Sequence, residues 1–230
     1  MTPDIGLLSD LTPAQRREVL ARMHRHAYSA GDLVCREGDP ADTLPFVLEG
    51  RVVARRASEA GDVHAYAVMG PGQAFGELAM IRPERRRTAT IEAVEPTVTV
   101  SLGYSDFEQL CVTHPEVNRL LLRLLAARVN RLTDALMEAL HEPAERRVLR
   151  TLLVLGGLYS SPVQRNSPVT VTLNQTVLAE LAGVTRPTAN RVLRNLERDG
   201  VVELDRGRVR ICDPVALRHA ARLALPQELA

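Results

Sequence analysis

Apolar positions recur along this chain first at helical, then at strand, then again at helical spacing. Residues Leu11 to Arg25 predict a helix: Thr12 is its N-cap, Pro13 takes the first helical position, and Val19, Leu20 and Met23 form an apolar stripe. From Ser29 to Gly103 the chain changes to short β-prone runs, Leu33-Val34-Cys35, Phe46-Val47-Leu48, Arg51-Val52-Val53-Ala54, Ala65-Tyr66-Ala67-Val68 and Val98-Thr99-Val100. Turn signals separate them at Ala30-Gly31-Asp32, Glu37-Gly38-Asp39-Pro40, Glu49-Gly50, Ala60-Gly61-Asp62 and Gly70-Pro71-Gly72. Regular short strands punctuated by glycine predict a small antiparallel sandwich or barrel.

Helical spacing returns at Ser105 to Cys111 and then over a long stretch from Pro115 to about His141. There Leu122, Val129 and Leu136 repeat every seven residues, with Leu125, Leu132 and Ala139 in the complementary position, an a/d seam. Such a seam serves either a helix packed on its own domain or a dimer, and the dimer is the reading preferred. Pro143 breaks the pattern. Ala144 to Leu158 predicts a helix on Val148, Leu149, Leu152, Leu153 and Leu155, ended by Gly156-Gly157, and Ser160 to Pro168 predicts a loop. Asn174 caps a helix through Ala182, Gly183 turns the chain, and Thr185 caps a second helix through about Arg198. Asp199-Gly200 closes it, and Val201 to Leu204 with Val209 to Ile211 form a hairpin about Arg206-Gly207. Helix, tight turn, helix and hairpin predict a winged helix-turn-helix.

The expected fold is therefore α+β: an N-terminal antiparallel β-roll sensor over 1–114, a dimerisation helix over 115–141 and a DNA-binding domain over 142–230. A length of 230 residues suits two modest domains. With 45% apolar and 25% charged residues the composition is that of an ordinary globular protein. Aromatic residues make up only 3% and Trp is absent, which disfavours stacking platforms for single-stranded nucleic acid. Net charge is +1, yet Arg186, Arg191, Arg194, Arg198, Arg206, Arg208 and Arg210 outnumber the acids Glu197, Asp199, Glu203 and Asp205 among them. Cys35, Cys111 and Cys212 have neither disulfide-framework nor metal spacing, so no metal is expected and a reducing cytoplasm fits best. No apolar run approaches the ~20 residues that cross a bilayer, so no membrane partner is expected.

The candidate chemistry lies at Gly76-Glu77-Leu78-Ala79 and Arg87-Thr88. A buried phosphodiester monoanion needs amides from a glycine-initiated turn and a cation fixed in geometry. Gly76 through Ala79 offer the amides and Arg87 a bidentate cation; Glu77, repelled by phosphate, suits a ribose hydroxyl. Taken alone, Glu77 and Arg87 equally describe a structural ion pair near a turn. Catalytic arrangements of the Ser/His/Asp, HExxH, Walker and paired-carboxylate types are missing, and the six histidines lack ligand spacing, so an enzyme is not expected.

Gly76-Glu77-Leu78, separated by eight residues from Arg87-Thr88-Ala89, closely resembles the phosphate-binding cassette of cyclic-nucleotide-binding domains. Gly31, Gly38, Gly50 and Gly72 fall where that β-roll turns. With the winged helix, the chain from about Leu7 to Asp213 resembles the CRP/FNR family of bacterial regulators, nearest its cAMP-receptor branch. The resemblance implies that Glu77 holds the ribose 2′-hydroxyl and that Arg87 and Thr88 hold the cyclic phosphate. It implies cAMP as allosteric ligand, with cGMP as the other candidate. Adenine contacts fall on Leu132 and Thr133 of the long helix, of which only Thr133 keeps a hydroxyl. An iron–sulfur cysteine cluster is absent.

On the second predicted helix, Arg186 at the first turn and Arg191 one turn on are expected to share a face and read guanine edges. Thr185 caps it, Thr188 serves a phosphate or a thymine methyl, and Asn190 and Arg194 reach phosphate. The family pattern has Glu where this chain has Pro187, so the acceptor for cytosine N4 is lost while the fold is kept. The expected partners are palindromic double-stranded DNA, a second copy of the chain, and RNA polymerase, for which Ser160 to Pro168 is the candidate contact in an activator. The rival expectations are a ligand-independent regulator with a vestigial pocket and a nucleotide sensor acting on a protein partner.

Overall fold

The computed structural model describes Ile5, Leu8, 11–160 and 166–221; Ser161 to Arg165, within the loop expected to meet RNA polymerase, lie outside the described residues. The chain forms two compact units, Met1–Asp134 and Ala135–Ala230.

In the first unit, α1 (Pro13–Ala21) starts on a capping box: the Thr12 side chain accepts from the Gln15 N–H, and the Gln15 side chain accepts from the Thr12 N–H. Strands β1 (His24–Tyr28), β2 (Leu33–Cys35), β3 (Thr43–Glu49), β4 (Val52–Ala57) and β5 (Val63–Met69) precede the short α2 (Glu77–Ile81). After it come β6 (Thr90–Ala93), β7 (Thr97–Gly103) and α3 (Tyr104–Thr113). The strands form two antiparallel sheets, β1-β7-β3 and β2-β6-β4-β5. Alternation along β3 decides the packing: Phe46 and Val47 are both fully buried but join different cores. Phe46 meets Leu102, Phe107 and Leu110 under the helices, and Val47 meets Val52, Phe75 and Ile91.

The first helix is shorter than expected. It ends at Ala21, and Arg25 lies in β1, whose backbone pairs with β7 from His24↔Ser101 to Tyr28↔Thr97. The backbone ladder prevails there over a side-chain pattern that is polar and almost wholly exposed.

Helix α4 (Pro115–His141) spans the predicted long stretch. Leu122, Val129, Leu132 and Leu136 on it are 65%, 60%, 58% and 58% exposed, so this seam is not packed on its own chain.

The second unit holds α5 (Ala144–Tyr159), β8 (Val169–Val171), α6 (Gln175–Leu181), α7 (Arg186–Arg198), β9 (Val202–Asp205), β10 (Arg208–Ile211) and α8 (Pro214–Ala220). The sheet order is β8-β10-β9, and β8 and α8 were not foreseen. Helix α5 runs through Gly156-Gly157 rather than ending there. A Cβ on Gly156 would come 2.9 Å from Ile211 Cδ1, so the glycine serves close packing of helix on sheet. Val148, Leu152, Leu178, Leu193 and Leu217 form the buried centre among the helices.

Candidate functional site

The first site begins with a segment laid along β3. Gly72 N–H donates to the Val47 carbonyl at 2.9 Å, Val47 N–H to Gln73 at 3.0 Å and Phe75 N–H to Pro45 at 3.1 Å. The segment delivers Gly76, with φ +74, as the N-cap of α2. A Cβ there would stand 2.3 Å from Arg87 Nη1, so only glycine lets the guanidinium lie against this backbone.

Arg87 arrives from the other side, stitched to the Gly38 turn. Its N–H donates to the Asp39 carbonyl and its carbonyl accepts from the Gly38 N–H, each at 2.8 Å. The side chain is 7% exposed. Nη2 donates to the Thr43 carbonyl at 2.9 Å and to Thr43 Oγ1 at 3.1 Å. Nη1 is buried and has no hydrogen-bond partner among the described residues. A buried cation with an idle donor beside an unobstructed glycine backbone is built to take an anion. Nearby, burial pushes the Cys35 thiol above its usual range, opposed by the Arg87 charge.

Glu77 is also 7% exposed, and its Oε1 is ion-paired with Arg128 Nη1 of α4. Sequence reasoning missed Arg128; its only signal was a lone charge within the apolar run Leu124 to Val129. Leu78 is half-buried and Ala79 buried, and the Ala79 N–H already donates to the Gly76 carbonyl at 3.2 Å. Thr88 is half-buried between Arg87 and the buried Ala89. Leu132 lies one turn beyond Arg128, and the Thr133 hydroxyl donates to the Val129 carbonyl of its own helix at 3.0 Å.

The second site is α7. Thr185 caps it by accepting from the Thr188 N–H, and the two hydroxyls lie 2.9 Å apart. Ala189, Val192, Leu193 and Leu196 form the buried face. At about 100° per residue, Arg186 and Arg191 stand about 140° apart, so the expectation of a shared face is corrected. Pro187, Arg191, Arg194 and Arg198, all exposed, make the stripe opposite the buried face, with exposed Arg186 at its flank and Asn190 half-buried. Arg194 pairs with Glu197 at 2.8 Å, and Glu197 also accepts from the Leu204 N–H at 3.2 Å, which ties the helix to the hairpin. Arg186 and Arg191 have no ion-pair partner among the described residues. Arg206 and Arg208 are exposed on the hairpin, and Arg210 pairs with Glu203 at 3.1 Å.

Among the described residues no cluster of His, Cys, Asp or Glu is placed to hold a metal ion, and no helix is long and apolar enough to cross a membrane.

Residues 25–114 match the cyclic nucleotide-binding domain family, and residues 146–220 match the Crp-like helix-turn-helix domain family. The cyclic AMP receptor protein of Thermus thermophilus is 31% identical over 94% of this chain and 96% of its own. The CRP-like cAMP-activated global transcriptional regulator of Mycobacterium tuberculosis is 27% identical over the same shares, 94% and 96%. The crystal structure of the Thermus thermophilus catabolite activator protein superposes with a TM-score of 0.53 at 31% identity, over 94% of this chain and 98% of that one. The chain belongs to the CRP/FNR family of transcriptional regulators. It is a DNA-binding regulator with a cyclic-nucleotide-binding domain, not an enzyme.

Proposed function

We propose that this protein is a dimeric transcription factor switched by cAMP, which binds palindromic duplex DNA through the Arg186 to Arg191 segment of α7. The observation that carries the ligand reading is the buried Arg87 Nη1, unpaired and pressed against Gly76. A cyclic phosphate takes that donor and the amides that open α2, with the Thr88 hydroxyl beside it. Arg128 holds Glu77 Oε1, which leaves Oε2 to accept from the ribose 2′-hydroxyl. Ligand and α4 thus share one carboxylate, and α4 carries the exposed seam on which two copies pair. Thr133 and Leu132 face the base, with cGMP as the competing ligand. The names of the two relatives support cAMP, and a reducing cytoplasm and RNA polymerase complete the setting proposed.

Calorimetry with cAMP and cGMP tests the ligand. Saturable heat with cAMP, lost in Arg87→Leu, is expected; no heat and no thermal stabilisation with either nucleotide would sink the reading.

The Glu77–Arg128 pair favours one second reading, a ligand-independent regulator in which Arg128 fills the role of the ligand. Palindrome binding by nucleotide-free protein that added nucleotide leaves unchanged would support it.

A further inference from the structure

Where α4 ends, three arginines of the next helix reach back across Pro143. Arg146 pairs with Glu142 and Arg150 with Glu138, each at 2.6 Å, and the Arg150 and Glu138 side chains are 28% and 29% exposed. Arg147 does something different. Its Nη1 donates to the Ala139 carbonyl in the last turn of α4 at 3.4 Å, and its Nη2 donates to the Gly183 carbonyl at 3.1 Å. Gly183, with φ +60, is the turn between α6 and α7, two residues before the Thr185 cap. One planar guanidinium therefore joins the end of the long helix to the turn that aims the DNA-reading helix. The Glu142 N–H continues the α4 ladder by donating to Glu138 at 2.9 Å, and the division between the two compact units falls at Asp134 and Ala135, upstream of Pro143. The last turns of α4 thus belong to the unit that holds α7.

We propose that Arg147 is a positioning residue for regulation: it transmits displacement of the end of α4 to the α6–α7 turn and so sets the orientation of α7. The proposal rests on the reading that ligand moves α4. The guanidinium suits the task because both its acceptors are backbone carbonyls, fixed to their elements, whereas the flanking Glu138 and Glu142 carboxylates can swing on their stems. Val148 and Leu149, its buried neighbours in sequence, fix the α5 backbone from which it reaches. A lysine has one nitrogen to place and cannot span the same two acceptors in a fixed plane.

The test compares Arg147→Met and Arg147→Lys with the wild type in two measurements. Hydrogen exchange without nucleotide comes first. In Arg147→Met, exchange should quicken at least threefold at Gly183 to Ala189 and at Glu138 to Glu142, while α8 stays unchanged; unchanged exchange at Gly183 to Ala189 would overturn the proposal whatever ligand the β-roll takes. The second measurement is fluorescence anisotropy of palindromic duplex DNA with and without cAMP, alongside calorimetry of cAMP binding. Both variants should bind cAMP within twofold of wild type, yet the ratio of DNA affinities with and without cAMP should fall at least threefold. An unchanged ratio, with both affinities lowered alike, makes Arg147 merely structural and overturns the proposal. Absence of cAMP binding to the wild type would strike the ligand reading instead, leaving the exchange result to decide on Arg147.

Discussion

Replacing Gly76 by Ala separates two costs that the structure places on one atom. The first is backbone strain: φ is +74, and a left-handed conformation costs an L residue about 1–2 kcal/mol. The second is collision: the new Cβ would lie 2.3 Å from Arg87 Nη1, so the guanidinium must leave its place. Doing so breaks two charge-assisted bonds to Thr43, at 2.9 and 3.1 Å, each worth about 1.5–3 kcal/mol. Part of that loss is regained by hydration, so the second cost should be about 2–4 kcal/mol. Gly38→Ala is the control: its φ is +87, but nothing lies within 4 Å of its Cβ, so it carries the strain alone. Hydrogen exchange at β3 and β7 reads the opening free energy of the first unit without interference from the second. Gly76→Ala should lower it by about 2–4 kcal/mol more than Gly38→Ala does, and should abolish nucleotide binding. Equal losses in the two variants would refute the close approach of Arg87 to Gly76, and with it the geometry of the site.

Arg128→Ala leaves the Glu77 carboxylate buried without its cation; discounted for the 30% exposure of the Arg128 side chain, stability of the first unit should fall by about 2–3 kcal/mol in the same exchange measurement. Arg186→Ala should weaken binding to specific duplex far more than to random duplex, and equal losses would remove its base-reading role. Arg208→Ala, on the exposed hairpin, should weaken both alike and reduce the slope of log K against log salt by about one. Because burial raises the Cys35 thiol, its thiolate fraction at pH 8 is lower than that of a free cysteine. Iodoacetamide should therefore label Cys35 more slowly than a cysteine peptide, and faster labelling would contradict the packing around Arg87.

The elements legible from sequence were those whose chemistry is local. Thr12, Asn174 and Thr185 each cap the helix they were expected to cap, because an N-cap is decided within three residues. The long helix was legible in its heptads, and the phosphate cassette in its glycine and arginine. What escaped was decided by partners distant in sequence. β1 is exposed and polar and exists through its ladder to β7, some seventy positions on. Gly156 reads as a helix stop until Ile211 is packed against it. The Glu77–Arg128 pair joins residues 51 positions apart, and nothing local announces it. The Arg186–Arg191 spacing was legible but misread, since five residues carry a helix well past one turn.

The most direct test of the central claim is the affinity of the protein for palindromic duplex DNA, measured by anisotropy at fixed salt with and without saturating cAMP. Coupling of ~1–3 kcal/mol between the two sites predicts a 5- to 150-fold tightening with cAMP, abolished in Arg87→Leu. Identical affinities with and without the nucleotide, in a protein that binds the duplex, would contradict a switch built on Arg87.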